Sequence, residues 1–289
     1  MLPTLGLLLC AAVAAGAVAP SRADGLPGTS TSASADDSTA SASPSRWTER
    51  FAREVDHRLD VPPVDQQRYL VLLASALGAA GGVTPGAQAY VLVDRSPRVQ
   101  AAMVVLRGPD GGWTWLGATA VSTGKPGRFE HFVSPLGVYR HTPANPDFRA
   151  LGTFNKNHIR GYGTAGRRVF DFGWQQAERG WGEGGRSTMR LQMHATDPDR
   201  LELRLGSVDS EGCIRIPAML NVFLDQHGVL DADYEAALAA GTPQRVLRPA
   251  REPIPWPGRY LVIVDSQVAE RPAWSPPPGG AVATVKARR

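Results

Sequence analysis

The chain has 289 residues, 43% of them hydrophobic, with 31 Lys and Arg against 27 Asp and Glu for a formal charge of +4. That length supports one large core or two modest ones, and the composition excludes a chain disordered throughout. The basic residues are scattered apart from Lys286, Arg288 and Arg289, so no stripe suited to nucleic acid is present.

An apolar run from Leu5 to Ala19 is followed by Ser21-Arg22-Ala23, small residues where signal peptidase cuts. Residues 1–23 are therefore expected to be a secretory signal, leaving no transmembrane anchor in the mature, exported chain. The run is shorter than the ~20 apolar residues of a membrane span. An uncleaved anchor and a lipoprotein acylated on Cys10 are the alternatives. Residues 24–44 are Ser/Ala-rich with Leu26 as the one large apolar side chain, a composition that cannot repay the entropy of ordering and predicts a disordered tether. Trp47, Phe51, Val55 and Leu59 then recur near helical spacing after Ser45, a candidate N-cap. A second helix is predicted over 65–80, stopped by Gly81-Gly82. Residues 45–84 thus form a small helical N-terminal segment packed on the main domain.

From Ala87 the texture becomes β-rich, and residues 85–265 are expected to form one mainly β domain with a few short helices. Strands are predicted at 90–93, 99–106 and 113–121, the last two joined as a hairpin by Gly108-Pro109-Asp110-Gly111-Gly112. A strand over 188–193 leads into His194. Helices follow at 217–228 and 234–240, then strands at 244–247 and 260–264. Residues 266–289 read as a flexible, Pro-rich tail. Trp113 and Trp115 alternate onto one strand face, which is core packing before it is a sugar platform.

If the leader is removed, Cys213 is the one cysteine left. An unpaired thiol in an exported protein is an oxidative liability, which argues that it is kept for its reactivity. It would attack a carbonyl as thiolate, with His194, at the end of a strand, as its base. Ser210-Glu211-Gly212 is a tight turn before Cys213, with Ser210 hydrogen-bonding inside the loop. Gly212 would let a substrate approach the backbone, and its N–H with that of Cys213 would receive an oxyanion. Arg215 either holds a substrate carboxylate or braces the loop. His131, His141 and His158 are weaker candidates for the cleft. One cysteine and dispersed histidines give no ligand spacing for zinc.

The order of these residues, Met193-His194-Ala195-Thr196 and then Ser210-Glu211-Gly212-Cys213-Ile214-Arg215, resembles the catalytic signature of the L,D-transpeptidase (YkuD-type) family. Ser122-Thr123-Gly124-Lys125 and Ser134-Pro135-Leu136-Gly137-Val138-Tyr139 resemble its upstream segments, and the likeness runs from about 87 to 247. Ala195 stands where the family has Gly, and Glu211 where it has His. A carboxylate at 211 would raise the thiol pKa, bind a substrate amine, or face solvent. The resemblance implies a twisted β-sandwich or barrel, no metal or cofactor, and acylation of the cysteine by carbapenems. It also implies cross-linking of peptidoglycan: Cys213 takes the acyl group of a donor tetrapeptide stem as a thioester, and His194, held by a backbone carbonyl, shuttles the proton. The acceptor is a second stem or an envelope lipoprotein. The alternatives are an L,D-carboxypeptidase or cross-link hydrolase using the same site, and a non-catalytic wall-binding protein.

Overall fold

The computed structural model describes residues 43–81, 83 and 86–277; the expected signal, nearly all of the tether and the last residues of the tail lie outside this range. β1 (Gln88–Asp94), β2 (Ala101–Arg107) and β10 (Tyr260–Val264) are apolar almost throughout because the sheet they build is covered on both faces. Ala89, Val91, Val93, Ala102, Val104, Leu106, Leu261 and Ile263 face one core, whereas Tyr90, Leu92, Met103, Val105 and Val262 face a second. This is the period of two that a strand imposes. The strand order is β3-β2-β1-β10-β5, with β3 (Trp113–Ala120) and β5 (Gly137–Arg140) at the edges and β1 parallel to β10. The expected hairpin joins β2 and β3, closed by Gly108 N–H donating to Gly112 O at 2.8 Å.

A second sheet runs β4-β7-β8-β9, from β4 (Phe132–Val133), β7 (Arg168–Arg179), β8 (Arg186–Ala195) and β9 (Ile214–Ile216), with β6 (Phe148–Arg149) also paired to β7. Phe170, Phe172, Leu191, Met193, Ile214 and Ile216 join the first core from this side. The molecule is thus mainly β, two sheets sharing one core, as the sequence predicts.

Helix α1 (Pro44–Glu54) starts earlier than expected: Pro44 opens it and Ser43, not Ser45, is the cap residue. It is also more than a module packed on the outside, since Trp47 and Phe51 enter the shared core and Phe51 meets Phe223 edge-on at 5.1 Å. Helix α2 (Pro63–Ala80), which ends at Gly81 as expected, covers the far face of the first sheet with Tyr69, Leu70 and Leu73. Helices α3 (Ala218–Gln226) and α4 (Ala232–Ala239) match the two expected after Cys213. Trp113 and Trp115 pack against the second core.

Two expectations are corrected. Residues 244–247 form a turn, with Leu247 N–H donating to Gln244 O at 3.0 Å, and not a strand. The tail is not loose from 266: Trp274 meets Tyr69 edge-on and donates from Nε1 to Asp65 at 2.7 Å, and Ser275 is buried against the carbonyls of Arg98 and Val99. Burial of the Trp274 ring against α2 offsets the entropy that its Pro-rich setting suggests is left free. No described helix is long and apolar enough to cross a membrane.

Candidate active site

β8 and β9 run parallel with Met193 opposite Ile214 and His194 opposite Arg215. Met193, Ile214 and Ile216 point into the core, so strand alternation turns His194, Arg215 and Cys213 to the opposite face of the same sheet. Cys213, two residues before Arg215, lies diagonally across from His194 at roughly 8 Å between Cα atoms. Both line one groove of about 490 Å³, walled by Lys125, Arg128 and His131 on one loop and by Asn155, Asn157, Ile159 and Tyr162 on another.

The turn carrying Cys213 is stitched in place by the two upstream segments. Ser122 pairs with Arg215 through both backbone bonds, Lys125 N–H donates to Ser210 O at 2.9 Å, and Ser134 Oγ donates to Gly212 O at 2.6 Å. Ser210 is fully buried and closes the loop, its hydroxyl donating to Cys213 O at 2.6 Å and accepting from Gly212 N–H at 3.1 Å. Gly212 has φ +128°, a backbone conformation that favours glycine, and a Cβ there would press on the end of the Met189 side chain at 2.9 Å. One expectation fails here. The Gly212 N–H is committed to Ser210 and is not free for an oxyanion, which leaves the Cys213 N–H as the amide of this turn that Ser210 does not engage.

His194 is buried and donates from Nδ1 to Ala195 O at 2.7 Å. A carbonyl only accepts, so Nδ1 carries the proton and Nε2 of the neutral ring is a bare acceptor. Burial takes the His194 pKa down to about 4, opposed by the Ala195 bond and aided by the Arg215 charge. Burial pushes the Cys213 thiol up to about 11; the Gln192 N–H and Arg215 pull it down, and Glu211 and Asp171 push it further up. The Cys213 Sγ rests 3.8 Å from Arg190 O. Both shifts favour uncharged forms, so the pair sits as thiol and imidazole, not as thiolate and imidazolium.

Arg215 lines the groove while its guanidinium is held by Asp209 O and lies 3.6 Å from the Asp209 carboxylate, so the bracing role is present whatever substrate does. Glu211 is exposed at the groove wall, its carbonyl accepting from Phe132 N–H at 3.1 Å. His131 lines the groove. His141 does not, being sealed in an ion network with Asp147 and Arg168, and His158 is exposed elsewhere on the loop. Sequence reasoning missed the residues behind the pair. The Tyr162 ring meets His194 edge-on at 4.7 Å, its hydroxyl donates to Gln192 Oε1 at 3.1 Å, and Gln192 Nε2 in turn donates to buried Asp171 at 2.8 Å. Gln192 was visible only as a polar residue of the strand predicted over 188–193, Asp171 lay in a stretch given no strand of its own, and Tyr162 stood between the glycines of a loop.

The fold also brings one donor each from Asp56, His57 and Glu202 within 4.8 Å of one another, a trio that spacing along the chain does not reveal. Glu202 Oε1 there already accepts from Ala218 N–H at 3.2 Å.

No protein-family model matches the chain, and no curated protein does. Among solved structures, the helical cell shape determining protein Pgp2 from Campylobacter jejuni is similar to it over 78% of this chain at 13% identity and a TM-score of 0.30. This chain spans 57% of the length of that protein.

Proposed function

We propose that the chain is an exported cysteine acyltransferase of the L,D-transpeptidase type, acting on peptidoglycan stem peptides in the cell envelope. The observation that carries this reading is the shared groove: a half-buried thiol in the turn that leads into β9 and an imidazole on β8, the imidazole fixed by a backbone carbonyl so that Nε2 accepts. Because the resting pair is neutral, the thiol proton moves to Nε2 as sulfur attacks, not before. The sulfur–carbon bond forms at the third-residue carbonyl of the donor stem, and the oxyanion meets the Cys213 N–H. The carbon–nitrogen bond then breaks as His194 returns the proton to the departing D-alanine amine, leaving a thioester. An acceptor amine gives its proton to His194, attacks the thioester and releases the thiol.

Groove charge supports an acidic substrate. Lys125 and Arg128 line it without an ion-pair partner among the described residues, while Arg204 and Arg215 are engaged by Asp209. Stem peptides bear free carboxylates of the sign this wall attracts.

The test combines carbapenem labelling with product analysis. Wild type is expected to gain one adduct mass on Cys213 and to convert tetrapeptide stems to cross-linked dimers. Cys213→Ala loses both with melting unchanged. Loss of D-alanine without dimers would move the assignment to the hydrolase on the same residues, and turnover by Cys213→Ala would overturn it.

A further inference from the structure

The outer face of the second sheet continues past the nucleophile. Asp171 on β7 is opposite Gln192 on β8, but the next registered pair is Trp174 with Arg190, so β7 spends three residues where β8 spends two. The extra residue is a bulge at Phe172-Gly173, where Gly173 has φ +75° and a Cβ would meet the Asn145 side chain at 2.7 Å. Its effect is to re-aim Trp174. Strict alternation would put position 174 on the core side with Phe172; the bulge instead returns it to the face of Asp171, Gln192 and His194.

There Trp174 is 65% exposed, with the Arg190 guanidinium 5.6 Å from its ring centroid. Beside it on the same face, Gln176 Nε2 donates to Thr188 Oγ1 at 2.9 Å, both residues exposed. An exposed indole held by a dedicated bulge, flanked by amide, hydroxyl and guanidinium groups, has the chemistry to stack on a sugar ring and hydrogen-bond its substituents.

Spacing selects which sugar. Trp174 lies one strand from Arg190; Gln192, two residues along, is level with Cys213 one strand further. Strand spacing and rise put the Trp174 and Cys213 backbones roughly 12 Å apart. Three extended residues, the stem between its glycan and the attacked carbonyl, span roughly 10–11 Å. We propose that Trp174, with Gln176, Thr188 and Arg190, is a saccharide platform that grips the glycan strand carrying the donor stem. This rests on the transpeptidase reading for the identity of the glycan, and on continuity of the face with the groove for its place.

The experiment measures retention of the full chain on insoluble glycan stripped of peptide, and kcat/KM on the free tetrapeptide and on the tetrapeptide joined to its disaccharide. Trp174→Ala is expected to weaken retention about tenfold and to lower kcat/KM about tenfold on the disaccharide substrate alone. Trp174→Phe, which keeps a ring, recovers part of both. If Trp174→Ala melts lower than wild type, Gln176→Ala carries the same test. Equal retention of wild type and variant, or none by wild type, overturns the platform even where free peptide turns over. Tryptophan-dependent retention with neither peptide turned over keeps the platform and overturns the transpeptidase reading.

Discussion

A thiol at about 11 in the same groove as an imidazole at about 4 differs from a preformed ion pair in a measurable way. Iodoacetamide alkylation of Cys213 is expected to rise with pH through a midpoint well above the ordinary thiol value, with no plateau of reactivity near pH 6. The plateau would signal a thiolate–imidazolium pair and contradict the burial argument. Glu211 contributes to the raised thiol from the groove wall. Glu211→Gln removes a negative charge, so it should move the alkylation midpoint down, modestly because residue 211 is exposed to screening solvent. Ser210, Gly212 and Cys213 were legible as a tight turn ending in a thiol because their residue types are constrained locally. The competition of Ser210 for the Gly212 N–H was not, since it depends on a rotamer that no spacing encodes.

At the scale of elements, the sequence reading was best where strands were bounded by turns and poorest where neighbours decide the outcome. Phe51→Ala is expected to cost about 3–5 kcal/mol, the range for emptying a buried aromatic site, because Phe51 is fully buried in the core shared by both sheets. A peripheral helix would lose far less, and chemical denaturation measures the difference. The helical period over Trp47, Phe51 and Val55 disclosed a helix with an apolar stripe, but not whether that stripe met the domain surface or its centre. The hairpin at 108–112 was readable from turn chemistry alone. The bulge at Gly173 was not, because a bulge is a mismatch between two strands and only one is visible at a time. Residues 244–247 looked like a strand from Val246 and Leu247, yet offer no sheet edge to pair with and close as a turn.

Across the whole molecule, a charged cluster buried under β7 and α4 escaped sequence reasoning entirely. Arg168 forks onto Asp231 at 2.8 Å twice and bonds Asp147 at 2.6 Å; His141 bonds the same Asp147 at 3.0 Å and the Leu230 carbonyl at 2.9 Å. With acceptors on both ring nitrogens, His141 is an imidazolium. Burial opposes that charge, but Asp147 overrides it and holds the His141 pKa above its ordinary 6.5, while the charges around Asp147 overcome its own burial and hold it below 3.8. The His141 contribution is complete below pH 6.5 and fades as pH climbs through its raised folded value. That of Asp147 is complete above 3.8 and fades as pH falls through its lowered one. The stability this cluster contributes should therefore be greatest between these limits and decline on the alkaline side, whereas buried neutral His194 destabilises the fold as pH falls from 6.5 towards about 4. Asp147→Asn, which takes the bonded carboxylate from buried His141 and one of the carboxylates from Arg168, should cost about 3–5 kcal/mol and flatten that decline. A wild-type melting temperature level from pH 6 to 10 would contradict the assignment.

β10 slots between β1 and β5 although some 120 residues separate it from β5 and more than 160 from β1. Until residue 264 has left the ribosome, two strand edges stand open in the nascent chain, ready to pair with a neighbouring copy. Synthesis of this molecule therefore carries its greatest risk of clumping while β10 is still to emerge, and a holdase that shields the open sheet would matter more to its yield than one that assists the finished fold.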